Sequence, residues 1–347
     1  MRPPRAAPAD FRVPAGPSLN IANFMAMILS QIEGKDILIT GGAGFIGSTL
    51  TGLLLDRNRV TILDNFSRDS MATRPFRDHG NLTVIKGDIL DAEGLKKTCV
   101  GRQLVIHCAA IAGIDTVIKS PIATMRTNMI GSANLLEACS GLPGLERAIF
   151  FSTSEVFGQN AFRSEETHST ITGAVGEARW TYAISKLAEE HLAHAYGKER
   201  GMPVVTVRPF NVYGPGQVGE GAIKIFIQKA LRDETIEIHG DGSQIRAWCY
   251  IDDLVRGIGL ALLTPGAVGE TFNLGNSRAI VTIYGLANTI VRVLNSKSRI
   301  VFTNKDYADV ELRIPSITKA KKILGFEAEV DLEDGILKTA EYYRTFP

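Results

Sequence analysis

Asp36-Ile37-Leu38-Ile39-Thr40-Gly41-Gly42-Ala43-Gly44-Phe45-Ile46-Gly47 is the stretch on which the reading of this chain turns. Its first five residues form a short aliphatic, β-branched run, which predicts a buried strand. Glycines then recur as Gly41-x-x-Gly44-x-x-Gly47, and Ser48 to Arg57 continues with helical periodicity. Glycines permit a tight turn and let an anionic ligand approach backbone N–H groups at a helix N-terminus. Such a loop alone says little. A strand before it and a helix after it make the setting that a dinucleotide pyrophosphate needs.

The same rhythm runs outward from this stretch. Arg59 to Leu63 reads as a second strand ending at Asp64, an acid placed to accept hydrogen bonds from the hydroxyls of an adenosine ribose. A carboxylate there repels a 2′-phosphate, so NAD is expected rather than NADP; Arg68 nearby is read as a solvated side chain. Leu82 to Lys86 is a third strand, followed by Gly87-Asp88-Ile89 with Asp88 placed to meet the adenine. Leu104 to His107 is a fourth, and the small Cys108-Ala109-Ala110 after it lets a dinucleotide lie close. Pro121 to Cys139 is predicted helical, and Glu146 to Phe151 leads into the next strand. Strands alternating with helices predict an α/β fold, a Rossmann-type doubly wound parallel sheet with its ligand at the strand C-termini.

The fifth strand breaks into Ser152-Thr153-Ser154-Glu155, and after a polar loop a helical pattern starts at Trp180-Thr181-Tyr182-Ala183-Ile184-Ser185-Lys186. Tyr182 and Lys186 are four apart and share a helix face. A tyrosine titrates near pH ~10, and a neighbouring ammonium favours its phenolate, so the pair suits acid–base work with Lys186 lowering the Tyr182 pKa. Thr153, Ser154 and Glu155 are placed to face it from the strand end.

Composition bounds the remaining choices. The chain has 347 residues, 45% hydrophobic, with 34 glycines and a net charge of +1, which favours neither a nucleic-acid surface nor a basic membrane patch. Cys99, Cys108, Cys139 and Cys249 lack C-x-x-C spacing and read as reduced, buried thiols of a cytoplasmic protein. His191 and His194 read as a solvated helix face, and no metal site is expected. Residues 1–33 differ in kind: Met1 to Pro17 is rich in Pro and Arg, and Leu19 to Leu29 is apolar but shorter than the ~20 residues a bilayer span needs. They are expected to form a loosely packed extension, with a true start at Met25 or Met27 left open.

From about residue 35 onward the chain resembles the extended short-chain dehydrogenase/reductases, the NAD-dependent nucleotide-sugar epimerases, dehydratases and decarboxylases. The likeness rests on the glycine loop, Asp64-Asn65, Gly87-Asp88, His107-x-Ala109-Ala110, Ser152 to Gly158, Tyr182-x-x-x-Lys186 and Arg208-Pro209-Phe210-Asn211-Val212-Tyr213-Gly214-Pro215. It implies NAD contacts on Gly41, Gly44, Phe45, Ile46, Gly47, Asp64, Asn65, Asp88, Ile89, Ala109, Ala110, Tyr182 and Lys186. It further implies that Thr153 meets the sugar near O4 and that Asn211 meets the diphosphate. Thr153-Ser154-Glu155, Arg179-Trp180 and the run from Tyr307 to Ile317 are similar to UDP-glucuronate decarboxylases. In that group the glutamate and arginine serve the C5 proton and the uronate.

Beyond residue 210 the rhythm loosens. Residues 34–210 are expected to be the NAD-binding part and 211–347 a smaller α/β substrate-binding part, with some exchange of segments. Val218 to Leu231 is predicted helical, Glu237 to His239 a strand, and Trp248 a core residue. Arg246 and Arg313 are candidates for the diphosphate and the sugar carboxylate, because a guanidinium fork donates bidentately. The expected function is a homodimeric, UDP-sugar-dependent decarboxylase working through a 4-keto sugar with Tyr182 as base and Glu155 at C5. Alternatives are a 4,6-dehydratase, a 4-epimerase, or a non-catalytic NAD sensor.

Overall fold

Seven parallel strands form the central sheet of the computed structural model, which describes residues 31–304 and 310–346. The expected Leu19–Leu29 segment, and Tyr307 and Asp309, lie outside the described residues. The first five strands are β1 (Asp36–Thr40), β2 (Arg59–Asp64), β3 (Leu82–Lys86), β4 (Leu104–His107) and β5 (Arg147–Phe151). β6 (Asn160–Ser164) leaves the sheet, β7 (Val204–Pro209) returns to it, and the short β8 (Val212–Tyr213) follows. The C-terminal half supplies β9 (Ile236–His239), β10 (Ile245–Ala247), β11 (Cys249–Tyr250), β12 (Thr271–Leu274), β13 (Ile280–Thr282), β14 (Ile300–Thr303) and β15 (Leu312–Pro315).

The large sheet runs β12-β7-β5-β4-β1-β2-β3. From β1 the chain winds outward through β2 and β3, then crosses to the other flank at β4. That reversal opens a crevice beyond the strand C-termini between β1 and β4. β4 and β5 are buried along their whole length, as near-continuous apolar runs covered by helices on both faces should be. Thr40 is in register with His107, and Asp64 ends β2.

The sheet and its second layer exchange segments. β12 comes from the C-terminal half yet forms the edge of the large sheet, beside β7. Conversely, β6 joins a four-stranded sheet in the order β13-β10-β15-β6. This places Arg313 of β15 opposite Ala161 of β6, just after the turn that carries Glu155.

Three local expectations change. Helical structure over residues 121–139 is interrupted by a π-turn at Arg126–Ile130. The later helix begins at Ala222, not Val218, because Gly219 takes a left-handed conformation (φ +78°) incompatible with helix. His194 is half-buried, with Nε2 2.8 Å from the Thr271 hydroxyl, and burial lowers its pKa; His191 is exposed. Trp248 is buried in the main core. No described helix is long and apolar enough to cross a membrane.

Candidate active site

The strand C-termini open on a cavity of about 450 Å³, a size suited to small-molecule ligands. Its cofactor-facing wall begins with Gly41, whose φ of +71° favours glycine, and where an added Cβ would sit 2.5 Å from the Ala109 backbone nitrogen. Helix Phe45–Leu54 starts from Gly44 in extended conformation, with no side-chain cap and no acid in its first turn. Its leading N–H groups therefore stay available to an anion, and the helix dipole favours one. This is the cradle a pyrophosphate needs, and the residues present fit it.

Asp64 is 8% exposed; its Oδ2 accepts from the Ala43 N–H at 2.9 Å and its Oδ1 from the Phe66 N–H at 2.7 Å. Burial raises its pKa while these backbone donors pull the other way. The carboxylate thus fastens the glycine loop, and Asp64 also lines the cavity. Asn65, Asp88, Ile89, Ala109 and Ala110 line the same wall, as do Phe45, Ile46 and Gly47. Arg68 departs from the solvated reading: its Nη2 donates to the Ala112 carbonyl at 2.7 Å and the Thr116 hydroxyl at 3.1 Å, spanning the β2 and β4 loops.

The opposite wall holds the candidate catalytic residues. Thr153 caps the turn Ser154–Phe157, its hydroxyl accepting from the Glu155 N–H at 3.2 Å. Glu155 is gripped by two arginines. Arg179 Nη1 donates to its Oε2 at 2.7 Å, and Arg313 Nη1 stands 3.7 Å from its Oε1. All three are largely buried, with side-chain exposures of 16%, 7% and 6% for Glu155, Arg179 and Arg313. Glu155 and Arg313 line the cavity, and Arg179 supports Glu155 from behind it. Arg179 was visible in the sequence only as part of a family-like string; its pairing with Glu155 is a product of the fold.

Tyr182 sits in the first turn of helix Thr181–Arg200, with Lys186 one turn on, and both line the cavity. The expected lowering of the Tyr182 pKa is not what the structure shows. Burial pushes it well up, and Glu155 and Glu189 add to the rise, against lowering by the Thr153 hydroxyl and Arg313. Burial is the main physical reason, and Lys186, the expected source of a lowering, has its Nζ 2.5 Å from Glu189 Oε2 in a fully buried pair. Glu189 stands three residues after Lys186 on the same helix, a spacing that lets the two side chains meet. The pair continues into a buried polar chain. Ser132 Oγ is 2.8 Å from Glu189 Oε2 and 2.9 Å from His107 Nε2, and His107 Nδ1 is 2.6 Å from the Thr40 hydroxyl.

On the floor, Asn211 holds a left-handed φ of +40° and donates through Nδ2 to the Ala247 carbonyl at 2.8 Å. Such a conformation costs a non-glycine residue and concentrates at functional positions. Arg246 is absent from the residues that line this cavity; its Nη2 donates to the Val310 carbonyl at 2.5 Å. Every other predicted site residue lies on the cavity wall.

A crevice at the strand reversal that can cradle a dinucleotide, with a tyrosine and a lysine across from it, describes a dinucleotide-dependent enzyme. The description "NAD dependent epimerase/dehydratase family" matches residues 37–275, and the chain belongs to that family. It is 35% identical over 320 residues to the UDP-N-acetyl-alpha-D-glucosaminuronate decarboxylase of Bacillus cytotoxicus, covering 89% of this chain and 98% of that protein. It is 34% identical to UDP-glucuronic acid decarboxylase 1 of Xenopus tropicalis, covering 91% and 74%. The fold matches the UDP-glucuronic acid 4-epimerase of Bacillus cereus, solved with UDP-glucuronic acid and NAD, at a TM-score of 0.83 and 30% identity, covering 90% and 100%. The chain is thus an enzyme with NAD as its cofactor, which removes the sensor alternative.

Proposed function

We propose that this enzyme is a UDP-hexuronate decarboxylase acting on UDP-glucuronate. The observation that carries the reading is Glu155 held between Arg179 and Arg313 beside Tyr182. Two guanidiniums meeting at one carboxylate put fork-shaped donors beside the sugar position, and such forks suit a sugar carboxylate. A neutral hexose offers them no carboxylate. The decarboxylase names of the relatives above support the same choice.

NAD, when bound along Gly41 to Gly47 and Asp64, supplies the hydride acceptor for carbon 4. Tyr182 takes the proton of the 4-hydroxyl, with Thr153 and Ser154 orienting that hydroxyl and Arg313 and Thr153 favouring the phenolate. A ketone at C4 makes the C5 carboxylate a β-keto acid. Its C5–C6 electron pair passes into the carbonyl as carbon dioxide leaves, and C5 then takes a proton, which Glu155 delivers or relays. Return of the hydride to C4, with the proton restored by Tyr182, yields a UDP-pentose. Asn211 faces the diphosphate.

The chain works as a homodimer in the cytoplasm. Ile122, Met129 and Ile130 are exposed apolar side chains on one helical stretch and support a self-contact, and four free cysteines suit a reducing compartment. The cofactor part spans residues 34–210 and the substrate part 211–347, apart from the exchanged strands.

The test is incubation with UDP-glucuronate and, separately, its 2-acetamido analogue, read by product mass. Loss of carbon dioxide from either supports a hexuronate decarboxylase and identifies the sugar. Loss of water from UDP- or dTDP-glucose with both uronates untouched assigns a dehydratase. A uronate inverted at C4 with its carboxylate kept assigns an epimerase.

A further inference from the structure

We infer that Arg68, Thr116 and Glu220 are positioning residues that form a strap across the mouth of the cofactor crevice, so that a dinucleotide enters and leaves only when the strap opens. The sheet order β4-β1-β2 sets the geometry. The glycine loop that cradles a pyrophosphate follows β1, the middle strand of the three. Arg68 lies in the loop after β2 and Ala112 in the loop after β4, so a bond between them runs across the end of β1. Arg68 Nη2 makes that bond, donating to the Ala112 carbonyl at 2.7 Å. The residue packed on Gly41 is Ala109, so the bridge at Ala112 lies further out along the loop than the cradle itself. Arg68, Ala112, Gly113 and Glu220 all line the cavity.

The strap is completed from the loop after β8. Glu220 reaches back to the start of helix Ile114–Lys119, whose N-cap, Gly113, has no side chain to cap it. Its Oε2 accepts from the Asp115 N–H at 3.0 Å, and its Oε1 accepts from the Thr116 N–H at 3.2 Å and the Thr116 hydroxyl at 3.0 Å. Thr116 is the joint. Its hydroxyl accepts from Arg68 Nη2 at 3.1 Å while donating to Glu220, which uses both of its capacities.

Two glycines let these parts close on one another. An added Cβ at Gly113 (φ +95°) would sit 3.0 Å from Arg68 Nη2, and one at Gly219 (φ +78°) would sit 3.1 Å from Arg68 Cζ. The β2 loop is fastened separately, by the Ser70 N–H to the Ala43 carbonyl and the buried Ser70 hydroxyl to the Gly216 carbonyl, each at 2.8 Å. The bonds of the strap differ from that anchor: they are part-buried or exposed. Water can replace them one by one, so the strap can open while the loop beneath it stays anchored.

The inference needs NAD as cofactor but neither Tyr182 nor the identity of the sugar, so its result and that of the decarboxylase assay are independent. NADH is the probe. Mixing NADH-loaded enzyme with excess NAD gives the release rate by fluorescence, and mixing enzyme with NADH gives the entry rate. A strap governs passage both ways, whereas a simple ligand contact slows departure alone. Glu220→Gln keeps the shape and removes the charge; Arg68→Met keeps the stem and removes the donors. In each we expect release and entry to quicken together by about tenfold, the scale of one charge-assisted bond, with the NADH Kd within about threefold of the parent. The double variant should be little faster than the faster single one, because either change opens the same strap. If Arg68→Met does not fold, Thr116→Val, which removes the joint, must show the same paired rise. Unchanged rates, a Kd that weakens in step with release, or effects that multiply in the double variant overturn the inference.

Discussion

Glu155→Gln separates the charge of this residue from its shape. The parent carboxylate offsets part of the positive charge of Arg179, at 2.7 Å, and Arg313, at 3.7 Å. A uronate carboxylate entering between the guanidiniums would lie roughly 5 Å from that of Glu155, a repulsion of about 3 kcal/mol at an effective dielectric near 20. Residual exposure of 16% at Glu155 softens this. We therefore expect the glutamine variant to bind UDP-glucuronate about tenfold more tightly, or ~1.4 kcal/mol, while affinity for UDP-glucose stays at the parent value. Turnover should fall by roughly 10²–10⁴, the range for loss of a proton-transferring group. Loss of a charge-assisted bond also costs about 1.5–3 kcal/mol, visible as a Tm lower by several degrees. Calorimetric titration of both nucleotide sugars into the NAD-loaded variant, with product mass, makes the comparison. Equal gains for the two sugars, or near-parent turnover, would refute the reasoning, because either result removes the carboxylate-specific role of the cluster.

Tyr182→Phe should keep cofactor and substrate binding and lose turnover by at least about 10², since only the ionisable hydroxyl goes; an unchanged rate in a mass-detected assay means the base lies elsewhere. Asp64→Ala should weaken NAD binding by about 2–4 kcal/mol, through two lost charge-assisted bonds that fasten the loop, and leave UDP binding within a factor of a few; titration of each ligand reads the split. His107, held neutral in the folded protein, takes up a proton below pH ~6.5 only on unfolding. The unfolded chain binds more protons there, so stability falls as pH drops. The expected loss is about 1 kcal/mol between pH ~6.5 and ~5.5, and His107→Gln should flatten that part of a denaturant-midpoint curve.

The large sheet was legible because its strands are continuous apolar runs, and local pattern decides such elements. The glycine loop, Asp64 and the tyrosine–lysine pair were legible for the same reason, since each sits at a strand end or on one helix face. The Arg179–Glu155–Arg313 cluster was not, because Arg313 reaches Glu155 through the pairing of β15 with β6. No periodicity encodes that pairing. Glu189 differs: its distance from Lys186 is local, and what hid it was burial, since a charged pair three apart on a helix ordinarily faces water. Arg246 reads in sequence like Arg313, yet its guanidinium turns to the Val310 carbonyl.

The position of β12 has a consequence for how the chain is made. It pairs with β7 along the edge of the main sheet, Thr271 opposite Thr206, although a long stretch of the second layer is synthesised between them. Until residue 274 has emerged, the nascent sheet ends at β7, whose Val204, Val205 and Val207 await a cover and whose backbone groups await a partner. Such an edge is a template for pairing with another chain. Closing it requires a contact distant in sequence, the kind that slows folding. A ribosome paused after Asn211 would thus hold a complete cofactor cradle on an unfinished, adhesive sheet, and a chaperone that shields β7 during that interval would protect the yield of active enzyme.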